Sequence, residues 1–152
     1  VQISFYHLTR TPLEKALPRL LEKVVEKGAR AVVLTPFERL KVLDDSLWTY
    51  KPDGFLPHST REGAIKEGTH AEDHPIWLTD TLENPNQSGY LVVTGGVPLP
   101  DLTGFTHCLY LFDSHIDEEL KEARASWKIA KTHEAPRYWK QTEQGAWEEQ
   151  PL

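Results

Sequence analysis

Apolar positions recur along this chain with two different periods, and the alternation between them predicts an α/β fold. The opening Gln2-Ile3-Ser4-Phe5-Tyr6-His7 is short and rich in β-formers, which predicts a strand. After it, Leu13, Ala16, Leu17, Leu20, Leu21, Val24 and Val25 follow the three- and four-residue spacing of a one-sided helix. Thr11-Pro12-Leu13-Glu14 supplies a cap, a first-turn proline and a capping-box glutamate, and Gly28 the stop. Pro18 lies near the start of this helix, off the apolar stripe, where it removes one backbone hydrogen bond without breaking the period.

Ala31-Val32-Val33-Leu34 is a continuous apolar run of the kind a doubly covered parallel strand shows. A second helix is predicted from about Phe37 to Trp48, with Phe37, Leu40, Leu43 and Leu47 on one face. From Lys51 to His74 the glycines and prolines predict a loop region. Ile76-Trp77-Leu78, Tyr90-Leu91-Val92-Val93 and Cys108-Leu109-Tyr110-Leu111-Phe112 read as three further strands. A last helix runs from about Ile116 to Lys131, and Tyr138-Trp139 adds an edge strand. Strands alternating with helices imply right-handed crossovers and a largely parallel central sheet with helices on both faces. The expectation is a single Rossmann-like α/β domain over residues 1–141, followed by a polar C-terminal tail over 142–152.

Composition agrees with one domain, since 152 residues with 39% hydrophobic content support one core and not two. The lone Cys108 excludes an intramolecular disulfide framework and suits a reducing compartment. The opening does not resemble a signal peptide, and no apolar stretch approaches the ~20 residues of a membrane helix, so a soluble, cytoplasmic protein is expected. A formal net charge of -6 opposes coating a phosphate backbone with the whole surface, so any contact with DNA is expected to be local or indirect.

The search for catalytic chemistry is empty. The loop His7-Leu8-Thr9-Arg10-Thr11 after the first strand has no glycine and matches neither the GxGxxG nor the GxxxxGK[ST] pattern. Gly95-Gly96 precede Pro98 and Pro100, which suits a turn and leaves no helix start to hold an anion. Cys108 falls mid-strand, where a thiol is an inert core group. His70, Asp73 and His74, with His58 in the same region, are the most metal-like cluster, but they lack the HExxH spacing and read as a solvated loop. No catalytic residue, metal or cofactor is expected. Ala29 to Thr35 followed by an amphipathic helix is similar to a strand-helix unit of RecA-like helicases. A degenerate RecA-like or nucleotide-binding α/β domain is therefore the alternative.

The last helix carries the most information. Asp117, Glu118 and Glu119 occupy its first turn, where they suit the helix dipole, while Lys121, Arg124, Lys128 and Lys131 recur at spacings of three, four and three. Neither Arg124 nor Lys128 has an acidic neighbour three or four residues away. An unneutralised basic stripe beside Trp127 suits an acidic peptide with a hydrophobic end. Trp127 also continues the stripe Ile116, Leu120, Ala123, Trp127, Ala130, so core packing and a pocket wall are both open to it. A second candidate surface is Leu47-Trp48 through Phe55-Leu56-Pro57-His58, whose large aromatics are either core or a protein contact.

Together the opening Phe5-Tyr6-His7-Leu8, the block Leu47-Trp48 through Phe55-Leu56-Pro57-His58, the strand Cys108 to Asp113 and the helix segment Ala123-Arg124-Ala125-Ser126-Trp127-Lys128 resemble the chi subunit family of DNA polymerase III. The resemblance implies a non-catalytic adaptor with two partners. These are the psi subunit, which links chi to the clamp loader, and the acidic C-terminal tail of single-stranded DNA-binding protein. It assigns Arg124, Trp127 and Lys128 to the tail site, with Lys121 as a helper, and Trp48 and Phe55 to the psi side. The family can place a tyrosine where Trp127 stands and a cation where Leu120 stands, a role that Lys121 fills only if the helix is suitably rotated.

Overall fold

In the computed structural model, which describes residues 1–50, 56–133 and 135–151, eight strands form one sheet. They are β1 (Gln2–Leu8), β2 (Ala31–Leu34), β3 (His58–Thr60), β4 (Ile76–Thr79), β5 (Tyr90–Val93), β6 (His107–Asp113), β7 (Arg137–Gln141) and β8 (Trp147–Gln150). Their order is β3-β4-β2-β5-β6-β1-β7-β8. Every pairing is parallel except that of β7 with β8. Four α-helices accompany them: α1 (Leu13–Glu26), α2 (Leu40–Thr49), α3 (Arg61–Glu67) and α4 (Asp117–Ala130). Successive strand residues point to opposite faces, and both faces of the central strands are buried. On one face Leu17 and Leu21 of α1 and Leu43 and Leu47 of α2 pack on Val33, Leu78, Val92 and Leu111. On the other, Ala64 of α3 and Ala123 and Ala130 of α4 join Phe5, Val32, Leu91, Cys108, Tyr110 and Phe112. This is the expected single α/β domain with a mostly parallel sheet.

Several local readings are corrected. The stretch read as a loop up to His74 contains β3 and α3. Both are too short for a hydrophobic period to register, although α3 has its punctuation: Thr60 Oγ1 accepts from the Gly63 N–H at 3.0 Å and Gly68 takes a left-handed φ of 70°. The second helix begins with a single 3-10 turn over Phe37–Arg39, and Phe37 is 73% exposed instead of facing inward. Pro12, not Thr11, is the N-cap of α1, and no side chain caps it; the Thr11 hydroxyl accepts from Gln141 Nε2 instead. Pro18 is buried on the packed side of α1, and as its sixth residue it lacks the N–H that would bond the Glu14 carbonyl, yet the helix continues through it. Finally, the segment after Gln141 carries β8, so Tyr138-Trp139 is not at the sheet edge. The β7–β8 hairpin turns at Gly145, φ 82°, and is braced by Arg137 Nε to Glu149 Oε2 at 2.8 Å. Trp147 packs edge-on against Tyr6, ring centroids 5.0 Å apart.

At the carboxyl edge of the sheet, Arg39 joins three elements. It reaches Glu14 of α1 at 2.9 Å and Glu119 of α4 at 3.4 Å, and Glu119 also accepts from the Asp113 N–H at 3.1 Å. Burial raises the pKa of Glu119, against the opposing pull of the Asp113 N–H and the Arg39 charge. Removing the cation leaves two neighbouring carboxylates, one of them buried, without their counter-charge. Arg39→Ala is therefore expected to destabilise the fold by about 1–3 kcal/mol, read as a lower urea midpoint; an unchanged midpoint would show that the bridge contributes nothing.

A second polar link ties α2 to β3. His58 is buried, with Nδ1 2.7 Å from the Leu56 carbonyl and Nε2 2.9 Å from Asp44 Oδ1 in an ion-pair contact made off the N–H axis. Burial alone pulls the His58 pKa down, but the contact with Asp44, the Leu56 carbonyl and the Asp44 charge together outweigh it, so the pKa is raised above 6.5. A raised folded-state pKa contributes stability that is complete below the unfolded value and is lost as pH climbs through the folded one. Asp44→Asn should thus destabilise the protein more at about pH 6 than at about pH 8.5, measured by urea titration at each pH. Equal losses at the two would mean that His58 is neutral throughout.

Candidate functional site

Small side chains let α4 settle onto β6 and β1. Its buried residues are Glu119, Ala123, Ser126 and Ala130, and the Ser126 hydroxyl accepts from the Leu99 N–H at 3.1 Å and donates to Tyr110 Oη at 3.4 Å. The inward stripe is therefore rotated from the one expected. Only Ala123 and Ala130 of that set are fully buried, Leu120 and Trp127 stand on the flank, and Ile116 is exposed. Alanine and serine lie beneath the helix and the bulkier residues beside it, while the buried carboxylate of Glu119 is held by Arg39 and the Asp113 N–H.

Trp127 is half-buried and borders both core and solvent. Its ring meets Phe5 edge-on at 5.0 Å and Tyr138 edge-on at 5.7 Å between centroids, while Lys131 Nζ sits 5.8 Å from the ring centroid. Behind it, Tyr138 Oη lies within hydrogen-bond distance of His7 Nδ1, at 2.5 Å. Burial, followed by the charge of Lys140, lowers the His7 pKa, and burial raises that of Tyr138. At about 100° per residue, Lys131 and Arg124 project within about 60° of Trp127, Lys128 about 100° away and Lys121 about 120° away. All four cations are exposed. Among the described residues no ion pair involves Lys121, Arg124 or Lys128. Arg124 and Lys131 lie nearest Trp127 around the helix, while Lys128 and Lys121, about 20° apart, both point away from the buried face, and Lys121 does not take the place of Leu120.

The second surface lies across the sheet. Leu47 is buried in the core while Trp48, in the last turn of α2, is 49% exposed with its ring 4.6 Å from that of His58. Leu56 is buried. Phe55 lies outside the described residues. Two other groups have structural partners: the Asp73 carboxylate accepts from the His70 N–H at 2.8 Å, and the Thr69 hydroxyl sits 2.9 Å from His74 Nε2. At the loop after β1, Gln141 Oε1 accepts from the N–H groups of Thr9, Arg10 and Thr11 at 3.1, 3.0 and 3.2 Å. Donors that a phosphate would need there are already taken. Cys108 is fully buried, and burial pushes its thiol up to about 12. Among the described residues no helix is long and apolar enough to cross a membrane.

What sequence reasoning missed at the α4 site is the contribution of β7. Tyr138, which meets Trp127 edge-on, enters only through the parallel pairing that sets it beside Phe5, a register with no local signal.

Comparison with known proteins bears on all of this. The family model described as DNA polymerase III chi subunit, HolC, matches residues 1–136. The chain is 34% identical over 93 residues to a protein of Rickettsia prowazekii (strain Madrid E) named "Probable DNA polymerase III subunit chi". That match covers 60% of this chain and 53% of the relative, so the chain spans about half the length of the curated protein it matches. With the family matched over β1 to β6 and all four of the described α-helices, this chain belongs to the DNA polymerase III chi subunit family.

Proposed function

We propose that this protein is a non-catalytic accessory subunit of the bacterial DNA polymerase III holoenzyme in the cytoplasm. In this reading it bridges the clamp loader, through the psi subunit, to the acidic C-terminal tail of single-stranded DNA-binding protein during replication. The observation that carries the reading is the pair of unneutralised cations Arg124 and Lys128 beside the half-buried Trp127. Cations without local carboxylate partners are available for an incoming acid, and the ring edge gives an apolar residue something to pack against. Family membership supports the accessory role, and the net charge of -6 favours contact with DNA through a protein partner. The alternative, a degenerate RecA-like or nucleotide-binding domain, gains nothing from the loop after β1, where Gln141 occupies the backbone donors.

On the opposite face, Trp48 is the described residue best suited to the psi side, with Phe55 assigned there by resemblance alone. An exposed tryptophan at a helix end, held against a buried histidine, is a preorganised anchor of the kind that dominates binding energy at interfaces.

Calorimetric titration with a peptide copying an acidic, phenylalanine-ended tail tests the first surface. Arg124→Ala and Lys128→Ala should each weaken binding roughly five- to tenfold at low salt, and added salt should shrink the difference. Unchanged affinity in both variants, with unchanged thermal melting, would remove the tail site from α4. For the second surface, Trp48→Ala should lose copurification with psi while tail-peptide affinity stays the same. Retention of psi at wild-type levels would remove Trp48 from that interface.

A further inference from the structure

The geometry points to Lys140 of β7 as a further cation of the acidic-peptide site, making it a groove between α4 and β7 and not the face of one helix. This rests on the tail-binding reading above. Trp127 touches Tyr138 edge-on, so α4 and β7 meet at that level of the sheet. Tyr138 and Lys140 are two residues apart on one strand and project from the same face. Their register partners on β1, Phe5 and His7, both belong to the α4 side, Phe5 against Trp127 and His7 against Phe112. Lys140 is exposed, and its charge is felt by His7.

Two residues of strand advance about 6.6 Å, the rise of a little over four helical residues. Because α4 returns between two parallel strands, it runs against them. Moving from Tyr138 up to Lys140 therefore corresponds to moving from Trp127 back to about Ala123, the turn that carries Leu120 and Arg124. Both of those project toward the same flank as Trp127. The groove thus has Trp127 and Leu120 as an apolar wall, Arg124 and Lys131 along the helix rim with Lys128 further round, and Tyr138 and Lys140 on the strand side. An extended acidic chain lying in it meets cations from two elements, which a peptide merely adsorbed on the outer face of α4 would not.

One carboxylate competes. Glu148 of β8 is the register partner of Lys140, yet among the described residues no ion pair joins them. Asp113 and His115, the other titratable groups near His7, lie with Oδ1 and Nδ1 3.1 Å apart. Lys140 is left to an outside acid, with Glu148 tempering its pull.

The test is a titration of the full chain with the same phenylalanine-ended acidic peptide, comparing wild type with Arg124→Gln, Lys140→Gln, Lys140→Glu and Glu148→Gln. Lys140→Gln should weaken binding roughly two- to fivefold at low ionic strength, Lys140→Glu more, and Glu148→Gln should tighten it. Peptide-induced amide shifts in the wild-type protein should include Tyr138 and Lys140, a readout that does not depend on any variant folding. If Arg124→Gln weakens binding while both Lys140 variants match wild type and the β7 amides stay still, the site is confined to α4 and Lys140 is excluded, with the proposed function standing. If the wild-type protein does not bind the peptide, both readings fall.

Discussion

The parallel pairing of β1 with β6 on one side and β7 on the other is the constraint on which the rest of the molecule depends. It sets Phe5 beside Tyr110 in one register and beside Tyr138 in the other. Three aromatic residues thereby form one row across three strands on a single face. Such a row is wide and raised, so a helix crossing it must present small residues beneath and large ones to the side. That is the composition of α4: Ala123, Ser126 and Ala130 underneath, Trp127 on the flank. The tryptophan's edge-on contacts with Phe5 and Tyr138 are each worth about 0.5–1.5 kcal/mol beyond simple burial. They hold the ring still, and a ring already held still costs little further entropy when something packs on it.

This division of labour explains which parts of the molecule could be read from the residues and which could not. The long elements announced themselves: α1 and α4 by a helical period over fourteen residues each, and β2, β5 and β6 by continuous apolar runs. β3 with His58-Ser59-Thr60 and β8 with Trp147-Glu148-Glu149-Gln150 have no such signature. Lying at the two ends of the sheet, they are defined by what they pair with and not by their own hydrophobicity. The same holds for the candidate site. Arg124, Trp127 and Lys128 share one helix and their spacing is visible in the chain. Tyr138 meets Trp127 only through a register set by non-local pairing.

The architecture also separates fold from chemistry. A doubly wound sheet presents a crevice at its carboxyl edge where related folds hold nucleotides. Here the backbone donors after β1 are consumed by the carboxamide of Gln141. Arg39, the cation following β2, is spent between Glu14 and Glu119. Two carboxylates beside the edge would repel a phosphate, and their bridge stitches α1, the turn before α2 and α4 together. Groups that a nucleotide-binding relative would keep available for ligand are committed to structure, and the two candidate surfaces lie on the outer sides of the helices.

Those outer sides are on opposite faces of the sheet, Trp48 on α2 and Trp127 on α4. A sheet of close-packed strands between them transmits little motion unless it has two packings to choose from. The residues separating the two surfaces, Val32, Val33, Leu91, Val92 and Cys108, are fully buried, and nothing in their burial suggests a second arrangement. Binding at one surface should therefore leave affinity at the other unchanged, the additivity of distant sites without shared partners. In the proposed adaptor role, that independence would let two attachments form and release in either order, the link between them set by the concentration each tethered partner sees and not by a signal passing through the fold.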